Sequence, residues 1–357
     1  MKHLSDYKEE IHKCSKCGLC QAECSVYKVT GNDCTVSRGQ FAMLNGVVKG
    51  DLKMTPKINR YLDLCLKCGK CSDFCPAGIN AVDIIIAAKH EYYKKHLSEK
   101  IKAFIKKYII FGFIPNFINL FRKNKKSKTF ARKVLFFGGC ASKLSGDSAA
   151  VKILNKMEIE SINPNFPCCG ISLLSLGDLK GFESCIKKYI EILKKYDIKE
   201  IVTTCSSCEK TLKDYIKYTD NPDDINFLKE LKISNIYEYI RNSELKLKLK
   251  TPKKITYHKP CGLKNFEDVI YILNNTENME YIEMNDYDTC CGLNGLDKFS
   301  EYKIFRKIYS QKAQNIINTE AKTVLTSCLG CQSALKAYSY GKYKVYDLID
   351  FIGKFSE

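Results

Sequence analysis

Two stretches decide how this chain is read: Cys14-Ser-Lys-Cys17-Gly-Leu-Cys20-Gln-Ala-Glu-Cys24, and Cys65-Leu-Lys-Cys68-Gly-Lys-Cys71-Ser-Asp-Phe-Cys75-Pro76. Both spell CxxCxxCxxxC. Three thiolates spaced two residues apart can wrap one face of an iron-sulfur cube while the intervening amides turn toward its sulfurs. The fourth cysteine, one residue further on, then points elsewhere. Zinc sites or disulfides would require neither the longer final gap nor two matching runs.

In two-cluster proteins with this spacing the fourth ligand serves the other cluster. The runs therefore predict one 4Fe-4S cluster on Cys14, Cys17, Cys20 and Cys75, and a second on Cys65, Cys68, Cys71 and Cys24. Pro76 completes the second run in the usual way, whereas Ser25 follows Cys24, a small departure. Such crossed ligation would also staple the domain together.

Outward from these runs, residues 91–133 carry no cysteine, and the remaining cysteines lie between 140 and 331. That region repeats itself. Cys140, Cys168-Cys169-Gly170 and Cys205-Ser-Ser-Cys208 recur as Cys261, Cys290-Cys291-Gly292 and Cys328-Leu-Gly-Cys331, offset by 121 to 123 residues. So regular an offset over five cysteines and a glycine implies two copies of one unit. Apolar runs lead into the cysteine turns: Val134 to Phe137 before Cys140, Ile201-Val202 before Cys205, and Val324-Leu325 before Cys328. These read as buried strands. Phe182, Cys185, Ile186, Tyr189, Ile190, Leu193 and Tyr196 recur at helical spacing, as do Ile304, Phe305, Ile308 and Ile316, so each copy reads as α/β. The N-terminal part reads as helical, with Ser37 and Gln40 spaced as a capping box and Thr55-Pro56 as an N-cap followed by proline.

The expected fold is therefore α+β and multidomain. An N-terminal α-helical ferredoxin-like domain (1–90) leads through a basic amphipathic linker (91–133) to two α/β cysteine-rich repeats (134–250 and 251–357). A chain of 357 residues with 45% hydrophobic content can bury cores of that number. Twenty cysteines would mean a disulfide scaffold in a short secreted chain, but Met1-Lys2-His3-Leu4-Ser5-Asp6 opens no apolar signal core. A reducing cytoplasm is the expected setting, where thiols stay available as ligands. The formal charge of +18 comes mostly from scattered lysine, with arginine only at Arg38, Arg60, Arg122, Arg132, Arg241 and Arg306. Arginine is the bidentate reader of phosphate and guanine, so its scarcity argues against nucleic acid as a partner. In the linker, Ile101, Phe104, Ile105, Tyr108 and Ile109 alternate with lysines, a pattern suited to packing on the protein itself or to peripheral contact with the inner face of a membrane. Its longest apolar run is too short to span a bilayer.

From Cys14 through Tyr27, at Val36-Ser37-Arg38-Gly39, and over Leu62-Asp63-Leu64-Cys65-Leu66-Lys67-Cys68, the chain resembles the iron-sulfur subunit of glycolate oxidase and its lactate-utilisation relatives (lactate utilisation protein A). The resemblance continues through both Cys-Cys-Gly (CCG) repeats, including Tyr257-His258-Lys259-Pro260-Cys261. The repeat unit is also similar to those of heterodisulfide reductase and anaerobic glycerol-3-phosphate dehydrogenase small subunits. It implies that a CCG unit can hold a noncubane iron-sulfur cluster, and that one copy in some members holds zinc or nothing. Carried over by motif, the candidate metal ligands are Cys140, Cys168, Cys169, Cys205 and Cys208, then Cys261, Cys290, Cys291, Cys328 and Cys331. On chemistry alone, five soft ligands exceed what one zinc accepts and suit a polynuclear iron site better. Zinc and a thiol-disulfide pair remain the alternatives there. Cys34 and Cys185 read as bystanders, and His258 as a hydrogen-bonding structural residue.

The sequence contains no dinucleotide fingerprint, Walker motif or nucleophile-base set, so no flavin is expected on this chain and no catalytic residue is assigned. Oxidising a 2-hydroxy acid releases two electrons together, whereas cubanes pass one at a time, so a FAD-containing dehydrogenase subunit would have to split the pair. The expectation is an electron-transfer subunit of a flavin-linked glycolate or lactate oxidoreductase rather than a free-standing enzyme, with a quinone or another acceptor downstream. The alternatives are a catalytic disulfide reductase using a noncubane cluster, or the small subunit of an anaerobic glycerol-3-phosphate dehydrogenase.

Overall fold

A computed structural model describes residues 3–107, 132–139, 149–162, 166–293 and 301–356. Cys140 and stretch 108–131 of the basic linker lie outside the described residues. The chain forms two compact units: one of Met1–Lys107, Ile171–Phe182 and Cys290–Gln311, the other of Tyr108–Gly170, Glu183–Thr289 and Lys312–Glu357.

Over residues 3–107 the first unit is helical. Its longest helix there, Ala81–Lys95, starts where the Asn80 side chain accepts from the Asp83 N–H. It buries Ile84, Ile85, Ala87 and Ala88 against Phe41 and Leu44 of helix Ser37–Lys49 and Ile58 and Leu62 of helix Pro56–Leu64. Thr55 caps the last of these by accepting from Ile58 N, with Pro56 in the first turn, as its sequence predicts. The Ser37–Gln40 capping box is not formed. Val36 is the N-cap and no side chain caps this helix. Ser37 instead hydrogen-bonds Cys71, and Gln40 Nε2 donates to Tyr61 O at 3.0 Å. Both polar side chains are claimed by partners distant in sequence, which local spacing cannot reveal.

The second unit contains two four-stranded, wholly parallel sheets. In the first, β1 (Arg132–Phe137), β2 (Ile159–Ile162), β3 (Glu200–Thr203) and β4 (Lys232–Asn235) lie in the order β2-β1-β3-β4. In the second, β5 (Lys248–His258), β6 (Glu277–Tyr281), β7 (Thr323–Thr326) and β8 (Lys344–Asp347) lie in the order β6-β5-β7-β8. The same topology twice is what the cysteine repeat implies. Central strands buried on both faces read as unbroken apolar runs, hence Val134 to Phe137. One core serves both sheets: Val134, Phe136 and Val202 from the first join Ile255, Tyr257 and Leu325 from the second, with Leu154, Ile240, Ile272 and Phe351 from covering helices. The helical spacings noted in the sequence correspond to helices Leu179–Lys195 and Tyr302–Ile317.

Candidate iron-sulfur sites

The two N-terminal cysteine runs adopt the same backbone turn. Lys16 and Gly18 have φ of 58° and 90°, and Lys67 and Gly69 have 53° and 86°. Left-handed residues placed alternately between the thiols curl the chain, which turns successive N–H groups to one side in the manner of anion-binding nests. The glycines suit this freely, whereas the lysines hold a conformation few side chains adopt.

The turns open into two cavities. One is lined by Cys14, Cys17, Cys20, Cys71 and Cys75. The other is lined by Cys24, Cys65, Cys68 and Cys71. The last cysteine of each run thus lines the cavity of the other run, and Cys71 lines both. Burial is the main reason the Cys24 and Cys65 thiols are pushed up to about 11 and Cys71 to about 12, with nearby thiols adding to it. Ligation must therefore displace protons from desolvated thiols, which soft metal centres do readily. Backbone amides already point at the sulfurs: Tyr27 N donates to Cys24 Sγ at 3.5 Å and Lys67 N to Cys65 Sγ at 3.4 Å. At least four soft donors per cavity, with amides aimed at the sulfur, fit an iron-sulfur cube.

In the second unit Cys205, Cys261 and Cys328 sit just past the carboxyl ends of central parallel strands. Cys205 follows β3 and Cys328 follows β7, while Cys261 lies three residues after β5. In each sheet the strand order reverses between the two central strands, the place where open α/β sheets leave a crevice for ligands. Cys205 and Cys328 are also the N-caps of helices Ser206–Lys213 and Leu329–Ala337, whose first turns present N–H groups and positive dipole ends to thiolates. Gly170 and Gly292, at φ of 81° and 85°, make the turn after each cysteine pair.

The two repeats meet through sulfur. Hydrogen bonds link Cys169 to Cys208, Cys208 to Cys205, Cys205 to Cys328 and Cys328 to Cys331. All five are buried. Bonds from Cys205 and then Cys331 hold the Cys328 thiol well below its ordinary value despite burial, with Ser207 a further donor. For Cys205 the bond with Cys208 lowers the value, but the bond with Cys328 and burial together raise it. Cys168, Cys290 and Cys291 are buried and Cys261 is half-buried. Cys185 lies buried in helix Leu179–Lys195, and Cys34 in a short 3₁₀ turn where Asn32 caps its N–H at 2.9 Å.

A serine-tyrosine network locks this junction. Ser206 N and Ser206 Oγ donate to Ser327 O at 2.9 and 3.0 Å, the two hydroxyls pair at 2.8 Å, and Tyr257 Oη donates to Ser327 Oγ at 2.8 Å. Ser207 Oγ lies 3.1 Å from Cys328 Sγ. His258, fully buried at the end of β5, has a ring nitrogen within 4.8 Å of the Cys331 sulfur. Sequence reasoning missed these roles of Ser37, Ser206, Ser207, Ser327 and Tyr257. The usable signal was the inner pair of each CxxC, Ser-Ser in the first repeat against Leu-Gly in the second.

Comparison with known proteins agrees with this architecture. Residues 10–79 match the model of the 4Fe-4S dicluster domain family, and residues 134–213 and 255–336 each match that of the cysteine-rich (CCG) domain family. The chain is a dicluster iron-sulfur protein with two cysteine-rich domains. Among relatives of this iron-sulfur protein, the probable glycolate oxidase iron-sulfur subunit of Bacillus subtilis is 23% identical, the alignment covering 92% of this chain and 88% of that protein. A subunit of the dihydromethanophenazine:CoB–CoM heterodisulfide reductase of Methanosarcina mazei is 22% identical, over 91% of this chain and 88% of that one. A solved structure of a hypothetical protein from Helicobacter pylori shares the fold, with a TM-score of 0.56 at 12% identity over 89% of this chain and 67% of that one. The family model for the N-terminal region implies two 4Fe-4S clusters, and the CCG regions suggest a further iron-sulfur cluster.

Proposed function

We propose that this chain is the iron-sulfur electron-transfer subunit of a flavin-linked 2-hydroxy acid (glycolate or lactate) oxidoreductase. The observation that carries the reading is the pair of thiol-lined cavities with Cys71 on the wall of both, a geometry suited to passing single electrons between neighbouring centres. The proposed ligands are Cys14, Cys17, Cys20 and Cys75 for one cubane, and Cys65, Cys68, Cys71 and Cys24 for the other. Cys140, Cys168, Cys169, Cys205 and Cys208 would hold the first CCG site, and Cys261, Cys290, Cys291, Cys328 and Cys331 the second. The proposed domain limits are 1–90, 91–133, 134–250 and 251–357. When bound, such clusters supply reversible one-electron capacity. The chain's own part is to gather the thiols around each cavity and aim amides at the sulfurs.

The partner would be a FAD-containing dehydrogenase subunit that splits the substrate's electron pair, with a quinone or another acceptor downstream. The relatives named as glycolate oxidase subunits support this choice. Anaerobic mixing of the full chain with such a flavoprotein and its hydroxy acid should bleach the cluster absorbance. Failure to accept electrons from the reduced flavoprotein, together with purification free of any flavoprotein, would refute it.

No helix among the described residues is long and apolar enough to cross a membrane. Helix Leu97–Lys107 does expose Leu97, Ile101, Phe104 and Ile105, the first and third by 72% and 70%, beside Lys100 and Lys102. The proposed setting is the cytoplasm, with this stripe touching the anionic inner face of the membrane. Flotation with anionic vesicles should be lost in an Ile101→Asp, Phe104→Asp variant; equal flotation of both proteins would exclude this contact.

A second reading is favoured by the relatives named as heterodisulfide reductase subunits and by the buried thiol row joining the repeats. In it the CCG sites would cleave a disulfide directly. Thiol release from a disulfide by the dithionite-reduced chain alone would favour it over the relay.

A further inference from the structure

The two CCG sites are built from one repeat, yet both inner residues of their CxxC turns differ. In the first repeat the CxxC turn reads Cys205-Ser206-Ser207-Cys208; in the second it reads Cys328-Leu329-Gly330-Cys331. Ser207 reaches across the junction, placing Oγ 3.1 Å from Cys328 Sγ. The equivalent of Ser207 in the second repeat is Gly330, which has no side chain to return the contact to Cys205. A metal-bound Cys328 is a thiolate and accepts only, so the hydroxyl of Ser207 must donate.

We propose that Ser207 is a positioning residue that sets the second CCG site at a higher reduction potential than it would otherwise have, so that the two sites are unequal and electrons settle on the second. The inference rests on the reading of Cys328 as a ligand of that site. Adding an electron increases negative charge on the ligand sulfurs, and a hydrogen bond to sulfur strengthens as that charge grows. The reduced form is therefore favoured over the oxidised form at Cys328, with no matching donor from Gly330 at Cys205. Ser207 is well held for this task. It lies in the first turn of helix Ser206–Lys213, whose preceding and following residues, Ser206 and Cys208, are buried, and its carbonyl accepts from Thr211 Oγ1 at 2.7 Å.

The test is a mediated anaerobic redox titration of the full-length chain, followed by electron paramagnetic resonance, with iron and sulfide content measured on each sample. Ser207→Ala should move the midpoint of one CCG signal negative by about 59 mV, a tenfold change in a one-electron equilibrium, and leave the cubane signals in place. Ser207→Thr keeps the hydroxyl and should restore the midpoint. Should the alanine variant lose iron, Ser207→Thr against Ser207→Val compares hydroxyl and methyl at nearly constant shape, and the same shift is required between them. Unchanged midpoints at unchanged iron content overturn the inference and leave the ligand reading standing. Cys328→Ser separates the two: it should abolish the signal that responds to Ser207, and if it leaves every signal and the iron content untouched, the ligand reading falls and this inference with it.

Discussion

Replacing Ser327 by alanine tests the junction between the two sheets at a single hydroxyl. Ser327 Oγ accepts from Tyr257 Oη at 2.8 Å and pairs with Ser206 Oγ at 2.8 Å, and all three side chains are buried. Alanine leaves Ser206 Oγ its bond to Ser327 O at 3.0 Å, but strands the Tyr257 hydroxyl. A buried donor left unsatisfied costs about 1–3 kcal/mol. Tyr257→Phe removes the donor instead and leaves Ser327 paired with Ser206, so it should cost only about 0.5–1.5 kcal/mol. In the double variant the stranded group no longer exists, and the combined loss should fall short of the sum by about 1 kcal/mol. Native-state amide exchange read at β3 and β7, on anaerobic protein of matched iron content, measures these differences segment by segment. Losses that add to within about 0.3 kcal/mol would refute the idea that Tyr257, Ser327 and Ser206 act as one network.

Two further outcomes concern stability elsewhere. Lys89 is 1% exposed, with Nζ 2.9 Å from Asn59 Oδ1, bonded to Asp63 and 3.8 Å from Glu99. Lys89→Met should cost about 3 kcal/mol, the low end for breaking a buried pair because Glu99 keeps Lys102 at 2.7 Å; an unchanged thermal midpoint of the metal-free chain would contradict this. Burial pushes the Glu200 carboxyl up, but bonds from Tyr239, Arg132 and Lys232 outweigh it and hold the group below the usual carboxylate value. A depressed folded-state value means stability that is present above the unfolded value of about 4.3 and lost as pH falls through the folded one. Urea unfolding of the metal-free chain should therefore find Glu200→Gln weaker than the parent at pH 7, with the gap closing below about pH 4; a gap that widens in acid would reverse the sign.

What was legible in the sequence was whatever chemistry fixes at short range. Thiols two and three residues apart must turn around a metal, and the runs around Cys14 and Cys65 do share one backbone path, down to the left-handed lysine and glycine in each. The repeat was legible because β3 and β7 end in matching cysteine turns, at Cys205 and Cys328. The outer strands were not. Ile159–Ile162, Lys232–Asn235, Glu277–Tyr281 and Lys344–Asp347 read as mixed polar segments because each lies at a sheet edge and meets solvent along one side. Ser37 was misread for the same kind of reason: its spacing to Gln40 suits a cap, but tertiary packing gives its hydroxyl to Cys71 and the glutamine to Tyr61. The contact of Ser207 with Cys328 joins residues 121 positions apart, and no local pattern announces it.

The most direct measurement is iron and acid-labile sulfide on anaerobically prepared full-length protein, with electron paramagnetic resonance of single cysteine variants. The two cubanes alone require about eight irons per chain. Cys75→Ser should disturb the same signal as Cys17→Ser, and Cys24→Ser the same signal as Cys68→Ser. A colourless protein without labile sulfide after reconstitution would contradict the account, and a Cys75→Ser signal matching that of Cys68→Ser would contradict the crossed arrangement.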